Sequence, residues 1–293
     1  MKSIKLLFEN LYVRLALAFI IGLLTTFLIF YINAPRVSIF GFHAIINIQN
    51  KNDRPFLGSS FKQMNYTRQD FELFVGSLLN RKIWFLSSEE LYDYFVAKSK
   101  PIPAGHIGEK PIMLSFDDGY KNNYTNLLYS LERLEQKYGK KVKVVLFINP
   151  ATLATYDSNA SIHMTCNDLR DGFKKGFYDI QSHGLTHKNL TKINDKELMA
   201  ELEQAQATLR KCVEGLDPEE KVAAHIAYPF GAYNGKVKEY ASKYYASGYL
   251  YNSKPLRLGW LRNNYEISRI TVNDTQSPNK LIKIAENSLK LKK

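Results

Sequence analysis

The chain has 293 residues, 45% hydrophobic and 13% aromatic, enough apolar material for a substantial core and too much for a disordered or low-complexity protein. Its formal charge is +12, but the basic residues are scattered and no recognition motif accompanies them. That pattern excludes a nucleic-acid binder and suits a domain near an anionic membrane or wall polymer. Two cysteines, Cys166 and Cys212, exclude a disulfide framework and a zinc ribbon; they are either an extracytoplasmic pair or two unpaired core residues.

No residue from Leu15 to Ile32 is charged, and about 18 apolar residues suffice for a helix to cross a hydrocarbon core. Tyr12 and Tyr31 stand near the two ends, where aromatic rings favour the interface. Lys2, Lys5 and Arg14 precede the run, so the N-terminus is expected to be cytoplasmic and the bulk of the chain outside. The alternative is a cleaved signal peptide, for which the run is long and Ala34-Pro35 is a poor cleavage site. The expected division is a short tail and single-pass anchor over 1–34 and one outer domain over 35–293.

Beyond Pro35, strands alternate with helices. Val37–Phe42 reads as a buried strand, and the polar segment 51–66 as irregular. Thr67 can cap a helix carrying Phe71, Leu73, Phe74, Leu78 and Leu79, and Ser88 opens another with Leu91, Tyr92, Phe95 and Val96. Strands are expected at Ile112–Phe116, Val144–Ile148, Phe177–Gln181, His225–Tyr228, Tyr249–Tyr251 and Ile267–Val272. Helices are expected at about 122–138, 195–213, 236–245 and from Pro278. This order implies a parallel sheet covered by helices, an α/β fold that closes wholly or partly into a (β/α) barrel. In such folds the chemistry sits where strands end.

The polar clusters do follow strands. Asp117-Asp118-Gly119 follows Ile112–Phe116, His183-Gly184-Leu185-Thr186-His187 follows Phe177–Gln181, Pro229-Phe230-Gly231 follows His225–Tyr228, and His43 follows Val37–Phe42. Adjacent side chains diverge, so one carboxylate can bind a metal while its neighbour stays free as a base. Two histidines four apart can converge on one ion. Each cluster alone is equally a surface turn; together they point to a two-histidine, one-aspartate metal site with positions open for water and substrate. His106 and His163 read as surface residues, and His225 as a core histidine.

Ser115-Phe116-Asp117-Asp118-Gly119 and His183-Gly184-Leu185-Thr186-His187 resemble the first two motifs of the NodB-type polysaccharide deacetylases, carbohydrate esterase family four. The resemblance implies a distorted (β/α) barrel of NodB-homology type. It also implies Asp117 as catalytic base, with Asp118, His183 and His187 holding a metal, most often zinc. The third motif departs: Ala227-Tyr228-Pro229-Phe230 has alanine where family members carry an arginine that orients the base. Arg269, in Ile267-Ser268-Arg269-Ile270, is the candidate replacement, with a surface arginine as the alternative reading. No histidine follows His225, so the usual C-terminal acid is absent. In the poly-β-1,6-N-acetylglucosamine deacetylase branch the motif order is permuted and an early histidine supplies the acid, which points to His43. Tyr228, Pro229, Phe230 and Gly231 are expected to meet substrate. They supply a backbone N–H for the oxyanion, and Tyr228, Phe230 and Tyr233 an aromatic platform.

The expected activity is metal-dependent removal of N-acetyl groups from an extracellular amino-sugar polymer. The expected partners are that polymer, the membrane and polysaccharide synthesis or export machinery. Deacetylation of peptidoglycan or another amino sugar, and a catalytically impaired glycan-binding homologue, stand beside it.

Overall fold

The computed structural model describes residues 11–32, 34–51, 53, 64–156, 161–259 and 263–291. Lys2, Lys5 and most of the polar segment 51–66 lie outside the described residues. Helix α1 (Leu11–Ile32) contains an 18-residue window, Tyr12–Ile29, with a mean hydropathy of 2.1 and no part buried. Its length and composition fit a membrane span, and a signal sequence near an N-terminus meets the same criteria.

The rest is built on a nine-stranded sheet. Its main path runs β10 (Leu256–Arg257), β1 (Arg36–Phe42), β5 (Lys110–Asp117), β6 (Val144–Ile148), β7 (Tyr178–Ser182), β8 (His225–Ala227) and β9 (Ser247–Tyr249). β4 (Ile83–Phe85) pairs with the start of β5, and β11 (Ile270–Thr271) with the end of β1. All pairings are parallel except β10 with β1. A parallel pair, β2 (Ala44–Ile46) and β3 (Asn65–Thr67), stands apart.

The period of two sorts each strand between two layers. Phe40, Phe42, Ile112, Leu114, Phe116, Val144, Leu146 and Ile148 pack outward against helices α2 (Arg68–Leu79), α4 (Tyr129–Tyr138), α5 (Cys166–Lys174) and α8 (Pro278–Glu286). Val37, Ile39, Met113, Val145 and Phe147 face the concave interior. A segment from Trp84 through α3 (Ser88–Leu91) and the π-helical turn Tyr92–Val96 fills the end where the strands begin. Helices α6 (Asp195–Cys212) and α7 (Gly235–Ala241) cover β8.

Among the described residues the sheet curls without closing by a ladder, so of the two expected forms, wholly or partly closed, it is the partly closed one, a half-barrel. β9 and β10 end the path. The open side is crossed by chain alone: Ile267 bridges to Tyr249 of β9, and Ile270–Thr271 pair with Phe40–Gly41 of β1. What reads as one strand, Ile267–Val272, is therefore a crossing between two flanks, with Arg269 in the middle.

Local signals explain most element starts. Thr67, Asn194 and Ser277 each accept a backbone N–H of the first turn of α2, α6 and α8. The helix expected from 122 begins as a π-helical turn, Asn123–Leu128, before α4. Helix α5 is nine residues with one buried large apolar side chain, Leu169, too little for a periodic signal. Its start carries Cys166, which is disulfide-bonded to Cys212 at the end of α6; of the two readings of these cysteines, the paired one holds.

Candidate active site

The inward face of β5 reads Met113, Ser115, Asp117: apolar at the plugged end, then a hydroxyl, then a carboxylate at the mouth. Asp117 is buried and receives a bidentate contact from Arg269, Nη1 to Oδ1 at 2.6 Å and Nη2 to Oδ2 at 2.8 Å. Arg269 is itself fully buried. Its Nε donates to the Leu250 carbonyl at 2.9 Å and its Nη1 also to Ser115 Oγ at 3.2 Å. The guanidinium lies 5.0 Å from the Phe147 ring centroid and 5.5 Å from that of Tyr251. Burial works to raise the Asp117 carboxyl. The Arg269 charge and hydrogen bonds, with smaller help from His183 and His43, outweigh it and bring it down to about 2.

Asp118, by contrast, has a buried Oδ1 with no hydrogen-bond partner. That oxygen lies 3.5 Å from His183 Nε2 and 3.4 Å from His187 Nε2. One donor atom from each of the three residues falls within 4.8 Å of the others. The His183 Nδ1–H donates to the Ala227 carbonyl at 2.8 Å, which leaves the Nε2 lone pair aimed into the cluster. Burial lowers the His183 pKa, against the raising effect of Asp117 and Asp118, and so favours the neutral ligand form. An orphaned carboxylate oxygen and two converging imidazoles form a donor set suited to a divalent transition metal.

Backbone strain gathers here too. Asp118 (φ 71°), His187 (φ 62°) and Phe230 (φ 60°) are non-glycine residues in the left-handed region.

Two residues that the sequence reading passed over hold the histidine loop. Glu201 of α6 is buried and accepts from the N–H groups of Leu185 and Thr186 at 2.9 Å each, and from the Thr186 hydroxyl. Its signal was legible: a glutamate on the same helical face as Leu198, Leu202 and Ala205 needs a buried partner. Asn149, after β6, donates from Nδ2 to the His183 carbonyl; no local pattern in the sequence assigns it that role.

His43 follows β1 and is buried beside the same mouth. Asn123 Nδ2 donates to its carbonyl at 2.9 Å, and its Nδ1 is 3.4 Å from the Tyr251 hydroxyl. After β8, the N–H groups of Gly231 and Ala232 donate to Tyr228 and Pro229, and proline has none. Phe230 is the remaining amide of this turn. Its ring is exposed and packs 4.5 Å from that of His187.

Tyr228 does not take the place expected of it. The ring is fully buried, its hydroxyl donates to the Tyr265 carbonyl at 3.2 Å, and Tyr233 stacks on it. It lies beneath the mouth, away from the exposed surface that Phe230 occupies. His106 and His163 are half-buried, stacked on Trp84 and Tyr120, and neither belongs to the Asp118–His183–His187 cluster. His225 is a core residue, with Nδ1 2.8 Å from Ser247 Oγ.

The fold and the site together define an α/β half-barrel with an Asp–His–His metal-type cluster beside an arginine-clamped carboxylate. The polysaccharide deacetylase family model matches residues 104–247. The chain is similar to YxkH of Bacillus subtilis (strain 168), which carries the polysaccharide deacetylase name. The two are 23% identical over 185 residues, 63% of this chain and 58% of that protein, so the match spans less than two thirds of the relative. Its fold is similar to that of BC0361, a polysaccharide deacetylase from Bacillus cereus, with a TM-score of 0.69 and 20% identity over 86% of this chain and 69% of that one. It is also similar to IcaB from Ammonifex degensii, with a TM-score of 0.63 and 15% identity over 86% of this chain and 97% of that one. The family model spans just under half of the chain, and the solved structures show the shared fold.

Proposed function

We propose that the chain hydrolyses the N-acetyl amide of an N-acetylglucosamine-containing extracellular polysaccharide, with poly-β-1,6-N-acetylglucosamine as the substrate. The observation that carries the reading is the pairing of unlike roles on consecutive residues: Asp117 locked and ionised by Arg269, Asp118 with a buried oxygen open toward two imidazoles. A binding-only homologue has no need of a clamped carboxylate beside its metal cluster.

Asp118, His183 and His187 would hold a divalent ion, zinc by donor type, which when bound lowers the pKa of coordinated water and polarises the acetamide carbonyl. Asp117 takes the proton of the attacking water. Its low pKa makes it a modest base but keeps it ionised across the working range, and Arg269 fixes its direction. The Phe230 N–H is the backbone donor assigned to the oxyanion, and removing one such donor typically costs about 10²–10³-fold in rate. His43 hands a proton to the departing nitrogen. The C–N bond breaks, acetate leaves, and the free amine becomes cationic at neutral pH.

The choice of β-1,6-linked polymer rests on the early position of His43 in the motif order. We place residues 1–34 as a cytoplasmic tail and single-pass anchor and residues 35–293 as the extracytoplasmic catalytic domain. The Cys166–Cys212 bond supports an oxidising compartment.

The test is acetate release by the full chain in detergent from β-1,6-linked N-acetylglucosamine oligomers, with zinc and then with chelator. Metal-dependent release is expected. Release from peptidoglycan fragments instead would move the substrate assignment, and no release from either would refute the activity.

A further inference from the structure

Tyr251 lies beyond the end of β9 and touches both halves of the site. Its ring meets the His43 imidazole edge to face, 5.2 Å between centroids at 88°. Its hydroxyl is 3.4 Å from His43 Nδ1 and donates to the Gly41 carbonyl, also at 3.4 Å. Its ring carries the Arg269 guanidinium 5.5 Å from the centroid. The fit depends on two glycines. A Cβ on Gly41 would lie 2.9 Å from Tyr251 Cε2, and one on Gly231 would lie 2.9 Å from the Tyr251 backbone nitrogen. Gly231 also has a φ of +63°. β1 and the Pro229–Gly231 turn both give up a side chain where this tyrosine passes.

We infer that Tyr251 is the positioning residue of the catalytic acid, its phenol oxygen accepting the His43 Nδ1–H so that Nε2 faces the scissile nitrogen. The inference rests on the reading of His43 as that acid. The chemistry follows from the imidazole itself. When Nε2 has given its proton away, the ring is neutral and must keep its remaining hydrogen on Nδ1. An acceptor at Nδ1 selects that tautomer and fixes the ring plane. The hydroxyl can accept because its own hydrogen is directed at Gly41. Asn123 anchors the same histidine through its carbonyl, so main chain and ring are held from opposite sides. At 3.4 Å the Nδ1 contact is long, as such bonds are before substrate closes the site.

An acid matters only when the leaving group needs a proton. The amine of a glucosamine unit does; 4-nitrophenolate does not. The experiment is therefore Tyr251→Phe, which keeps the ring and removes one oxygen, measured in the zinc-loaded full chain on β-1,6-linked N-acetylglucosamine oligomers and on 4-nitrophenyl acetate. The amide kcat is expected to fall about tenfold, a part of the 10²–10⁴-fold that general acids typically contribute. KM, zinc binding and ester turnover are expected to stay within about twofold. Equal losses on both substrates, or none on either, would overturn the positioning role. His43→Gln separates this from the underlying assignment. A selective loss on the amide, about 10²-fold or more, upholds His43 as the acid. Unchanged amide turnover by that variant overturns the acid assignment and the inference with it, as does absence of amide turnover by the unaltered chain.

Discussion

Replacing Arg269 with methionine tests the centre of the site. The guanidinium is fully buried and the Asp117 side chain is 3% exposed, at 2.6 Å. Removing one partner of a buried pair costs about 3–5 kcal/mol, because a charge is left without compensation. That is a large part of the roughly 5–15 kcal/mol that holds a domain together. The cost has a pH signature. Asp117 is held at about 2, below the unfolded value of about 3.9. Its ionised form thus stabilises the native protein above about pH 4, and this contribution is lost as pH falls toward 2. In Arg269→Met burial is opposed only by the smaller effects of His183 and His43, so the carboxyl rises and the variant protonates Asp117 more readily than the unaltered chain. The stability difference between the two proteins should be largest at pH 7 and shrink below pH 4. The assay is urea unfolding of chelator-treated protein at pH 7 and pH 3, where all other carboxylates cancel in the comparison. A difference under about 1 kcal/mol at pH 7, or one that is the same at both pH values, would refute the clamp. Arg269→Lys keeps a charge but not the two-pronged geometry, and should fall between.

Asp117→Asn should still bind zinc, with turnover down by 10²-fold or more; calorimetric zinc titration beside acetate release checks both, and near-normal turnover would remove Asp117 as base. Glu201→Gln loosens the loop between His183 and His187 without touching either, and should weaken zinc binding by about 10–100-fold; unchanged affinity would make Glu201 a stability residue only. Saturating zinc at 100 times its dissociation constant should raise unfolding stability by about 2.7 kcal/mol, and His187→Ala should abolish that gain. The cysteines are separated by 46 residues, so the double variant Cys166→Ser, Cys212→Ser should lose at most about 4 kcal/mol in urea unfolding; no change on reduction or replacement would mean that the bond carries none of the domain's stability.

The parts legible in the sequence are those with a local signature. Long amphipathic helices such as α6 follow from Leu198, Leu202, Ala205 and Leu209, and β6 from an unbroken run of five apolar residues. Asp118, His183 and His187 were legible as a donor set because strand ends converge in a parallel sheet. What escaped has no local signature. β4 and β10 are three and two residues long. β9 was expected two residues late because Ser247-Gly248 looks like a poor strand. Gly248 is there for a tertiary reason: a Cβ would meet the Tyr228 hydroxyl at 2.2 Å. That contact also buries Tyr228, which a list of aromatic residues near a motif cannot reveal.

The displaced arginine shows why site geometry outlasts sequence position. Ala227 ends β8, and three pairings separate β8 from β5 in the sheet. Arg269 comes from the other flank, where residues 267–271 cross from β9 to β1, the direct neighbour of β5. A carboxylate at the mouth of a half-barrel can be clamped from either side, because the interior is common to all strands. Ala227 lies in the same apolar cluster as Phe147, the ring over which the guanidinium sits. A small residue on β8 and a long cation on the crossing segment are therefore complementary fillings of one interior. What stays constant is the demand of Asp117: a buried carboxylate without a charged partner would take up a proton and cease to be a base. A chain that keeps this carboxylate ionised must bring a cation to it, and the half-barrel leaves open which strand does so.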